Sequence, residues 1–368
     1  MDQRSLGDRE DHAENSPPKL SIIVPVYNGA ATLCDCLKAL IEAPGPSREI
    51  LVCDDASQDN SVEIASSMDV STTRNDVNRG VGAARNAGAS KARAPILVFV
   101  DCDVVIHPDA LSRIAAFLET NPQYSAVFGS YDAKPAARNF VSQYRNLLHH
   151  FTHQNGRFEA ETLWTGLGAI RRSVFEHAKG FCEARPCLED VELGLRLSSE
   201  GFRIALDPSL TCTHLKAWTL FGMAKMDLCD RALPWSSLIL ERRRLTNDLN
   251  TNGNGRLGVA SIFLAAMSLL LVAAWPAFGF VASAAVVMLL ISMRPLLQYF
   301  RRERGVWFAA RCVPLHVIHL SCACSGFLIA LLHHVAHGFR APRRRRSWSR
   351  SLGLSAPSAV EAGNEIAK

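Results

Sequence analysis

Two pairs of aspartates stand directly after apolar, β-branched runs in the N-terminal half of the chain. Asp54 and Asp55 end the run EILVCDD, and Asp101 and Asp103 follow the run PILVFV. Carboxylates at the carboxyl ends of buried parallel strands lie at the edge where open α/β sheets bind ligands. If the backbone stays extended after the second run, Asp101 and Asp103 point the same way and present hard oxygen ligands to one point. Such a pair suits a divalent cation that carries phosphates.

Each pair alone also has a simpler explanation. Aspartates after strands often cap the next helix or start a turn. The same placement after two strands of one predicted sheet favours a ligand site. Carboxylates gathered at one edge repel each other unless a cation or hydrogen-bond donors offset the charge.

The segments that must position these carboxylates alternate between strand and helix patterns. Apolar runs separated by helical patterns at residues 30–43, 59–68 and 82–92 predict a mostly parallel sheet with right-handed crossovers. A further strand, SAVFGSY, follows a helix at residues 111–120. We therefore predict an α/β domain over residues 19–215.

Five motifs in this region resemble, in order, the successive motifs of family 2 glycosyltransferases, which are inverting enzymes with the GT-A fold. The motifs are SIIVPVYN, VCDDASQDNS, NRGVGAARNAG, VFVDCDVVIHPDAL and CLEDVELGLRLSSEGFRI. The resemblance implies a Rossmann-like GT-A catalytic domain that transfers a sugar from a nucleotide-sugar donor.

The resemblance also implies a donor site with a bound Mg²⁺ or Mn²⁺. Asp101 and Asp103 match the metal-binding motif of the family and are assigned to the cation. A cation bound there would stabilise the charge that develops on the leaving diphosphate. An aspartate can accept the imide N–H of uracil, so Asp55 or Asp54 is assigned to the base, and the choice between them stays open. The residues assigned to the donor nucleotide are Pro25, Tyr27, Asn28, Asp54, Asp55, Gly80, Arg85, Asn86 and Asp101.

The last motif implies the catalytic base. Asp190 matches the aspartate that has this role in the family, with Glu189 as its supporting neighbour. Inversion needs one carboxylate to take the proton from an acceptor hydroxyl. Acidic residues also favour the first turn of a helix, so a purely structural role for the pair stays open. The resemblance places Gly166 and Gly168 beneath the donor sugar and the acceptor, where glycines let the backbone approach closely.

Residues 216–250 predict amphipathic interfacial helices broken at Pro234. Processive polysaccharide synthases of the family carry Q-x-x-R-W in this region, whereas this chain has DRALPW. Arg231 and Trp235 are assigned to the acceptor region. The departure from the motif favours transfer of a single sugar over processive synthesis.

The C-terminal third predicts a small transmembrane region over residues 251–338. A run without charged residues is long enough for two spans, at about 257–275 and 277–293. A third apolar segment, at about 312–332, contains a proline and two histidines. It remains open whether this segment spans the membrane, re-enters it or lies on its surface.

The chain has a formal net charge of +5, and the basic excess lies in and after the apolar segments. Anionic membrane lipids are the expected partner of these arginines, and nucleic acid is not. The positive-inside rule predicts a multi-pass protein of the inner (cytoplasmic) membrane whose catalytic domain faces the cytoplasm. Three spans would place the arginine-rich tail on the far side, against the rule. Residues 1–18 and 339–368 are predicted to be disordered.

The leading hypothesis is a membrane-bound, metal-dependent inverting glycosyltransferase that acts on a lipid-linked or membrane-proximal glycan acceptor. A processive polysaccharide synthase is the alternative. A nucleotidyltransferase that makes nucleotide sugars should carry a basic glycine-rich loop after the first strand, where this chain has PVYNGAATL. A noncatalytic membrane scaffold would leave Asp101, Asp103 and Asp190 unexplained.

Overall fold

The computed structural model describes residues 17–185 and 187–337 and divides the chain into two compact units. The first unit contains the residues up to 136 together with 153–183 and 190–216. The second contains residues 137–152, 184–189 and those from 217 onward. Residues 137–152 therefore group with the second unit, although they lie inside the predicted domain of residues 19–215. The predicted disorder of residues 1–16 and 339–368 falls outside the described residues.

A mixed sheet of nine strands forms the centre of the described part of the first unit. Its order is β3-β2-β1-β4-β8-β6-β9-β5, and β7 pairs with β9 outside this path. The strands are β1 (Leu20–Val26), β2 (Arg48–Asp54), β3 (Ser71–Arg74), β4 (Ile96–Val100), β5 (Val104–Ile106), β6 (Tyr124–Tyr131), β7 (Glu159–Ala160), β8 (Leu167–Arg171) and β9 (Arg203–His214). The helices that follow or join them are α1 (Ala30–Glu42), α2 (Ser61–Ser67), α3 (Val81–Lys91), α4 (Ala110–Thr120), α5 (Phe140–Gln154), α6 (Arg172–His177) and α7 (Glu189–Ser199).

The first four strands of the path are parallel, so their carboxyl ends meet at one edge. β1 pairs in parallel with β2 and β4, and β2 pairs in parallel with β3. β8 runs antiparallel between β4 and β6, while β6 and β9 are parallel again. The predicted α/β class with a mostly parallel, Rossmann-like sheet is confirmed, with antiparallel pairs concentrated in its second half.

The core explains why β1 lies inside the sheet. All seven of its residues are buried, as expected for a strand covered on both faces. Leu33, Leu37 and Leu40 of α1 recur at helical spacing and pack into the same cluster as Ile22 and Val24. This packing fixes the strand whose carboxyl end lies between those of β2 and β4.

The second unit is helical in its described residues. Its helices beyond α5 are α8 (Leu220–Lys225), a π-helical segment (Met226–Ala232), α9 (Leu233–Arg242), a short 3₁₀ turn (Leu249–Thr251), α10 (Gly253–Leu271), α11 (Phe278–Arg304) and α12 (Val306–His337). Within the described ranges, α10, α11 and α12 are long and apolar enough to cross a membrane. The predicted apolar C-terminal helices are confirmed, and the third is one continuous helix.

The predicted break at Pro234 is wrong. The chain stays helical from Leu220 to Arg242, and Pro234, the second residue of α9, lies within this continuous run. The π-helical segment before it already changes the hydrogen-bond register, because the Leu233 N–H donates to the Leu228 carbonyl five residues back.

Candidate active site

The carboxyl ends of β2 and β4 bring the two predicted aspartate pairs to the same edge of the sheet. Asp54 is the last residue of β2 and lies opposite Val26 at the end of β1. β4 ends at Val100, one residue before Asp101. The sheet topology therefore provides the ligand-binding edge that the sequence predicts.

The backbone turns sharply after β4. The Val104 N–H donates to the Asp101 carbonyl at 3.1 Å, so Asp101 and Asp103 lie within one turn between β4 and β5. The prediction of an extended backbone through both aspartates is therefore wrong, because β5 must turn to pair antiparallel with β9. Burial raises the pKa of Asp101 above its ordinary value, and the nearby charges of Asp103 and Asp190 raise it further, against the opposing effect of Arg85.

Arg85 of α3 holds Asp101 in place. Its guanidinium Nη2 donates to Asp101 Oδ1 at 2.7 Å, and its side chain is buried. The guanidinium also lies 5.7 Å from the centre of the Phe181 ring. The sequence assigns Arg85 to the donor nucleotide, and the structure shows that its side chain binds the predicted metal ligand.

His214, at the end of β9, holds Asp103 in place. Its Nε2 lies 3.4 Å from Asp103 Oδ2, and its ring stacks on Tyr131 with a centroid separation of 4.3 Å. Burial alone would raise the pKa of Asp103, but His214 and then Lys216 bring it below its ordinary value. Sequence reasoning missed His214 and Lys216. The two residues alternate with apolar or small residues at the end of an extended run, THLK, and this pattern could have indicated that they lie on one face.

The pair Asp101 and Asp103 fits a cation that substrate helps to hold. Arg85 contacts one carboxylate oxygen of Asp101, and His214 contacts one of Asp103. The Asp101 and Asp103 side chains remain 31% and 25% exposed, respectively. Among the residues that the structure describes, no cluster of three or more His, Cys, Asp or Glu could hold a metal ion. Mg²⁺ usually binds one or two carboxylates and completes its shell with water and substrate phosphates, and this donor set matches that mode.

Asp190 reaches the same site from a distant segment. It is the second residue of α7, and its charge contributes to the raised pKa of Asp101. The backbone N–H and the hydroxyl of Thr165 each lie 3.2 Å from Asp190 Oδ2, and the Val191 N–H donates to Oδ1. The structure thus brings Asp101, Asp103 and Asp190 together, and it adds Thr165 as a partner that the sequence did not indicate. Glu189 precedes Asp190 and is buried.

Asp55 binds the loop that contains Gly80. Its carboxylate accepts the backbone N–H groups of Arg79 and Gly80 and the side-chain amide of Asn75. Gly80 has a φ of +96°, a conformation that glycine adopts without strain. Asp54 instead accepts the Ser57 N–H and pairs with Arg74. Both carboxylates therefore accept hydrogen bonds from N–H groups of the protein itself. Their contact with the nucleotide base stays a prediction.

The end of β1 carries the other predicted donor residues. Pro25 is buried inside the strand, while the Tyr27 side chain is exposed. Asn28 has a φ of +53°, and its side-chain oxygen accepts the Gln58 N–H at 2.8 Å. Ala56, after β2, is also left-handed, with a φ of +65°. Strained backbone of this kind gathers at functional sites.

Asn86 and the two glycines of the acceptor region have structural contacts. The Asn86 side chain donates to the Phe181 carbonyl and accepts the Phe181 N–H, so it clamps that loop. A Cβ at Gly166 would lie 2.2 Å from the Trp164 ring, and one at Gly168 would lie 2.3 Å from the Trp164 carbonyl oxygen. Trp164 therefore packs closely against both glycines, and the Gly166 carbonyl accepts the Asp101 N–H. The place of the two glycines beneath the donor sugar and the acceptor stays a prediction.

Arg231 and Trp235 belong to the second unit, in the π-helical segment and in α9 respectively. Both side chains are partly buried there. Their assignment to the acceptor stays a prediction.

Comparison with known proteins shows which family the N-terminal part of this chain is similar to. Residues 21–178 match the model of the family described as glycosyl transferase family 2. An uncharacterised glycosyltransferase of Haemophilus influenzae is 28% identical over 188 residues, which cover 49% of this chain and 62% of that protein. A poly-beta-1,6-N-acetyl-D-glucosamine synthase of Staphylococcus epidermidis is 24% identical over 234 residues, 60% of this chain and 55% of that protein. The chain thus spans less than two thirds of the length of these relatives.

A solved structure with the same fold is a mannosyltransferase of Pyrobaculum calidifontis in complex with GDP-Man and Mn²⁺. It superposes with a TM-score of 0.54 at 19% identity, over 85% of this chain and 88% of that chain. At this identity the similarity concerns the fold, and the predicted GT-A fold is confirmed.

Proposed function

Since residues 21–178 give this chain a family 2 glycosyltransferase domain, we propose that it transfers a sugar from a nucleotide-sugar donor with inversion and with the help of a divalent cation. The observation that carries the proposal is the convergence of Asp101, Asp103 and Asp190. Asp101 and Asp103 share one turn after β4, the Asp101 N–H donates to the Gly166 carbonyl, and the adjacent Thr165 binds Asp190. Asp190 is about 90 residues away from the other two in the sequence, so a capping role for each would not explain why they meet.

Asp101 and Asp103 would hold a Mg²⁺ or Mn²⁺ next to the diphosphate of the donor. When bound, the cation stabilises the negative charge that grows on the leaving diphosphate. Arg85 and His214 position the two carboxylates from opposite sides. The GDP-Man and Mn²⁺ bound by the solved mannosyltransferase support this donor class.

Asp190 takes the proton from the acceptor hydroxyl as that oxygen attacks the anomeric carbon. Thr165 holds one oxygen of the carboxylate with two hydrogen bonds, which fixes its orientation. A catalytic base must lie within hydrogen-bond distance of the proton that it removes. A fixed carboxylate orientation keeps Asp190 at that distance. Glu189 supports Asp190 from the same helix start.

The acceptor is a lipid-linked or membrane-proximal glycan. In the part of the chain that the structure describes, three helices are long and apolar enough to cross a membrane, and they support attachment of the enzyme to a bilayer. We place the protein in the inner (cytoplasmic) membrane with its catalytic unit facing the cytoplasm, because arginines cluster at the end of α11. Arg231 and Trp235 bind the acceptor in this proposal, and Tyr27, Asn28 and Asp55 bind the donor nucleotide.

The test is transfer of labelled sugar from a panel of nucleotide sugars, in membranes that contain the full chain and Mn²⁺. Asp103→Ala and Asp190→Asn should each lower the label recovered in extracted lipid or glycan by about 10²-fold or more. Asp35→Asn, an exposed aspartate of α1, is the matched control and should keep full activity. Removal of the cation with a chelator should stop transfer, and Mn²⁺ should restore it. Full activity of Asp103→Ala or Asp190→Asn would reject these roles.

A processive polysaccharide synthase is the second candidate function. The similarity to the Staphylococcus epidermidis synthase over 60% of this chain favours it. The sequence DRALPW, in place of Q-x-x-R-W, favours the addition of one sugar. Mass spectrometry of the product decides between them, since one added sugar supports the first proposal and a long polymer supports the second.

A further inference from the structure

An apolar groove lies between α11 and α12 in the second unit. Its volume is about 520 Å³, within the range of about 300–1,000 Å³ that is typical of ligand sites. Exposed aliphatic side chains form much of its surface, and Ile291 and Val306 are each 59% exposed. The aliphatic side chains that line it include Val287, Leu290, Ile291, Val306 and Val313.

Two arginines stand on the same wall of this groove. Arg294, Gln298 and Arg301 all line it from α11. Their spacing places them on one helix face, with the two arginines about 10 Å apart along the axis. Within the described ranges, neither guanidinium makes an ion pair or a hydrogen bond with the protein. The groove therefore joins an apolar floor to two cations that lack an anionic partner.

The position of the groove along α11 matches the border of a bilayer. Val287 to Ile291 lie in the apolar part of a candidate span, and the arginines follow toward its C-terminal end. An arginine inside hydrocarbon is costly unless it reaches the interface or pairs with an anion. A phosphate at headgroup depth would meet both guanidinium groups, and arginine binds phosphate with paired N–H donors.

We propose that this groove binds one anionic glycerophospholipid. Its acyl chain lies along Val287, Leu290, Ile291 and Val306, and its phosphate lies between Arg294 and Arg301. The proposal rests on the membrane attachment proposed above and is independent of the sugar transfer. A zwitterionic lipid of the same chain length offers the same apolar contacts with an added positive charge near the arginines, so it should bind less well.

Lipid retention on the purified full-length protein tests the proposal. The protein is exchanged into detergent with phosphatidylglycerol or phosphatidylcholine of equal chain length, and native mass spectrometry counts the bound lipid across a titration. A surface arginine contributes about 1 kcal/mol to binding of anionic lipid. Arg294→Gln and Arg301→Gln should therefore each weaken phosphatidylglycerol binding about fivefold, and the double variant about thirtyfold.

Two further variants separate the groove from general surface charge. Arg302→Gln removes a neighbouring exposed arginine that does not line the groove, and its affinity should stay within about twofold of the parent. Ile291→Trp fills the groove without changing its charge, and it should lower retention of phosphatidylglycerol at least as much as either single arginine variant. Thermal unfolding of each variant in the same detergent verifies that it is folded.

Four outcomes would overturn the proposal. One is equal retention of phosphatidylcholine and phosphatidylglycerol, and another is an equal loss of affinity in Arg302→Gln and Arg301→Gln. The third is displacement of the lipid by soluble glycerol phosphate at matched concentration, since the apolar floor would then contribute nothing. Selective retention of a polyprenyl phosphate in place of phosphatidylglycerol would also reject the proposed occupant. None of these readouts depends on transferase activity, so failure here is distinct from failure of the proposed function.

Discussion

At the scale of single residues, the contact between Thr165 and Asp190 offers the most direct test of the proposed base. Thr165→Val keeps the shape of the side chain and removes the hydroxyl that lies 3.2 Å from Asp190 Oδ2. A hydrogen bond to a charged group is worth about 1.5–3 kcal/mol, so kcat should fall roughly tenfold to a hundredfold. KM for the donor should change little, because Thr165 contacts the proposed catalytic base Asp190 and is not among the residues assigned to the donor nucleotide.

Thr165→Ser is the matched control, since it restores the hydroxyl and should recover most of kcat. Steady-state kinetics with saturating donor and acceptor measure both constants. A Val variant with unchanged kcat, or a Ser variant as impaired as Val, would contradict the role of Thr165 in orienting the base.

The sequence predicted which carboxylates lie close together at this site, but it did not predict which side chains hold them there. Asp101, Asp103 and Asp190 were recognisable because each lies in a motif with local spacing. His214 was not, because its proximity to Asp103 depends on the antiparallel register in which Val104 pairs with His214. That register is set by contacts between segments about 110 residues apart, which no local pattern encodes. Arg85 was recognised as a site residue, but its hydrogen bond to Asp101 was not foreseen, and its contact with the donor nucleotide stays a prediction.

At the scale of elements, a buried ion pair links three helical elements of the second unit. Arg145 of α5 lies 2.7 Å from Asp227 Oδ1, and His319 of α12 lies 2.8 Å from Asp227 Oδ2. Asp227 is the second residue of the π-helical segment, and its side chain is almost fully buried. Helical irregularities of this kind often serve a function, and here the irregular segment carries the carboxylate that both partners contact.

Asp227→Asn should destabilise the second unit because it leaves the buried Arg145 charge without its counterion. Removal of one partner of a buried pair costs about 3–5 kcal/mol. Thermal unfolding in detergent should show a clear drop in Tm, while Glu303→Gln, which changes an exposed acid of α11, should not. A normal Tm for Asp227→Asn would mean that the pair contributes little.

The Tm difference between the parent protein and Asp227→Asn should depend on pH in one direction. Burial alone would raise the pKa of Asp227, but Arg145 and then His319 hold it well below its ordinary value. A carboxyl whose pKa is depressed by folding stabilises the protein above its unfolded pKa of about 3.9, and this stability is lost as the pH falls further. The Tm difference between the parent and Asp227→Asn should therefore be full at pH 7 and should shrink below about pH 4. A constant difference across this range would exclude titration of Asp227 as its source.

The boundaries of these elements show where local patterns succeed and fail. The apolar runs predicted α10 and α11 because length and lack of charge suffice to define them. Pro234 predicted a break that does not occur, and the π-helical segment directly before α9 changes the hydrogen-bond register next to the proline. The division of α5 between the two units was also not predictable, because it depends on which surface the helix packs against and not on its own periodicity.

At the scale of the whole molecule, the number of crossings made by α10, α11 and α12, the candidate spans of the described residues, would determine on which side of a bilayer each end of the chain lies. We expect α12 to cross the membrane. It is helical throughout Val306–His337, a length of about 48 Å against an apolar thickness of about 30 Å. Its mean hydropathy in the candidate span is 2.0, equal to that of α11. A re-entrant segment would need a non-helical turn at membrane depth, and a surface helix would need a strongly polar face, whereas Arg311 is the one Lys, Arg, Asp or Glu in this helix.

Three crossings place Gly305, between α11 and α12, on the side of the catalytic unit, and they place Lys368 on the opposite side. Alkaline phosphatase and green fluorescent protein, fused after Arg304 and after Lys368, report these sides, because the phosphatase is active outside the cytoplasm and the fluorescent protein inside. We expect fluorescence after Arg304 and phosphatase activity after Lys368. Fluorescence at both positions would show that α12 does not cross. In that case the positive-inside rule, which three crossings violate at the basic tail, would outweigh the hydropathy and length of α12 in setting the topology.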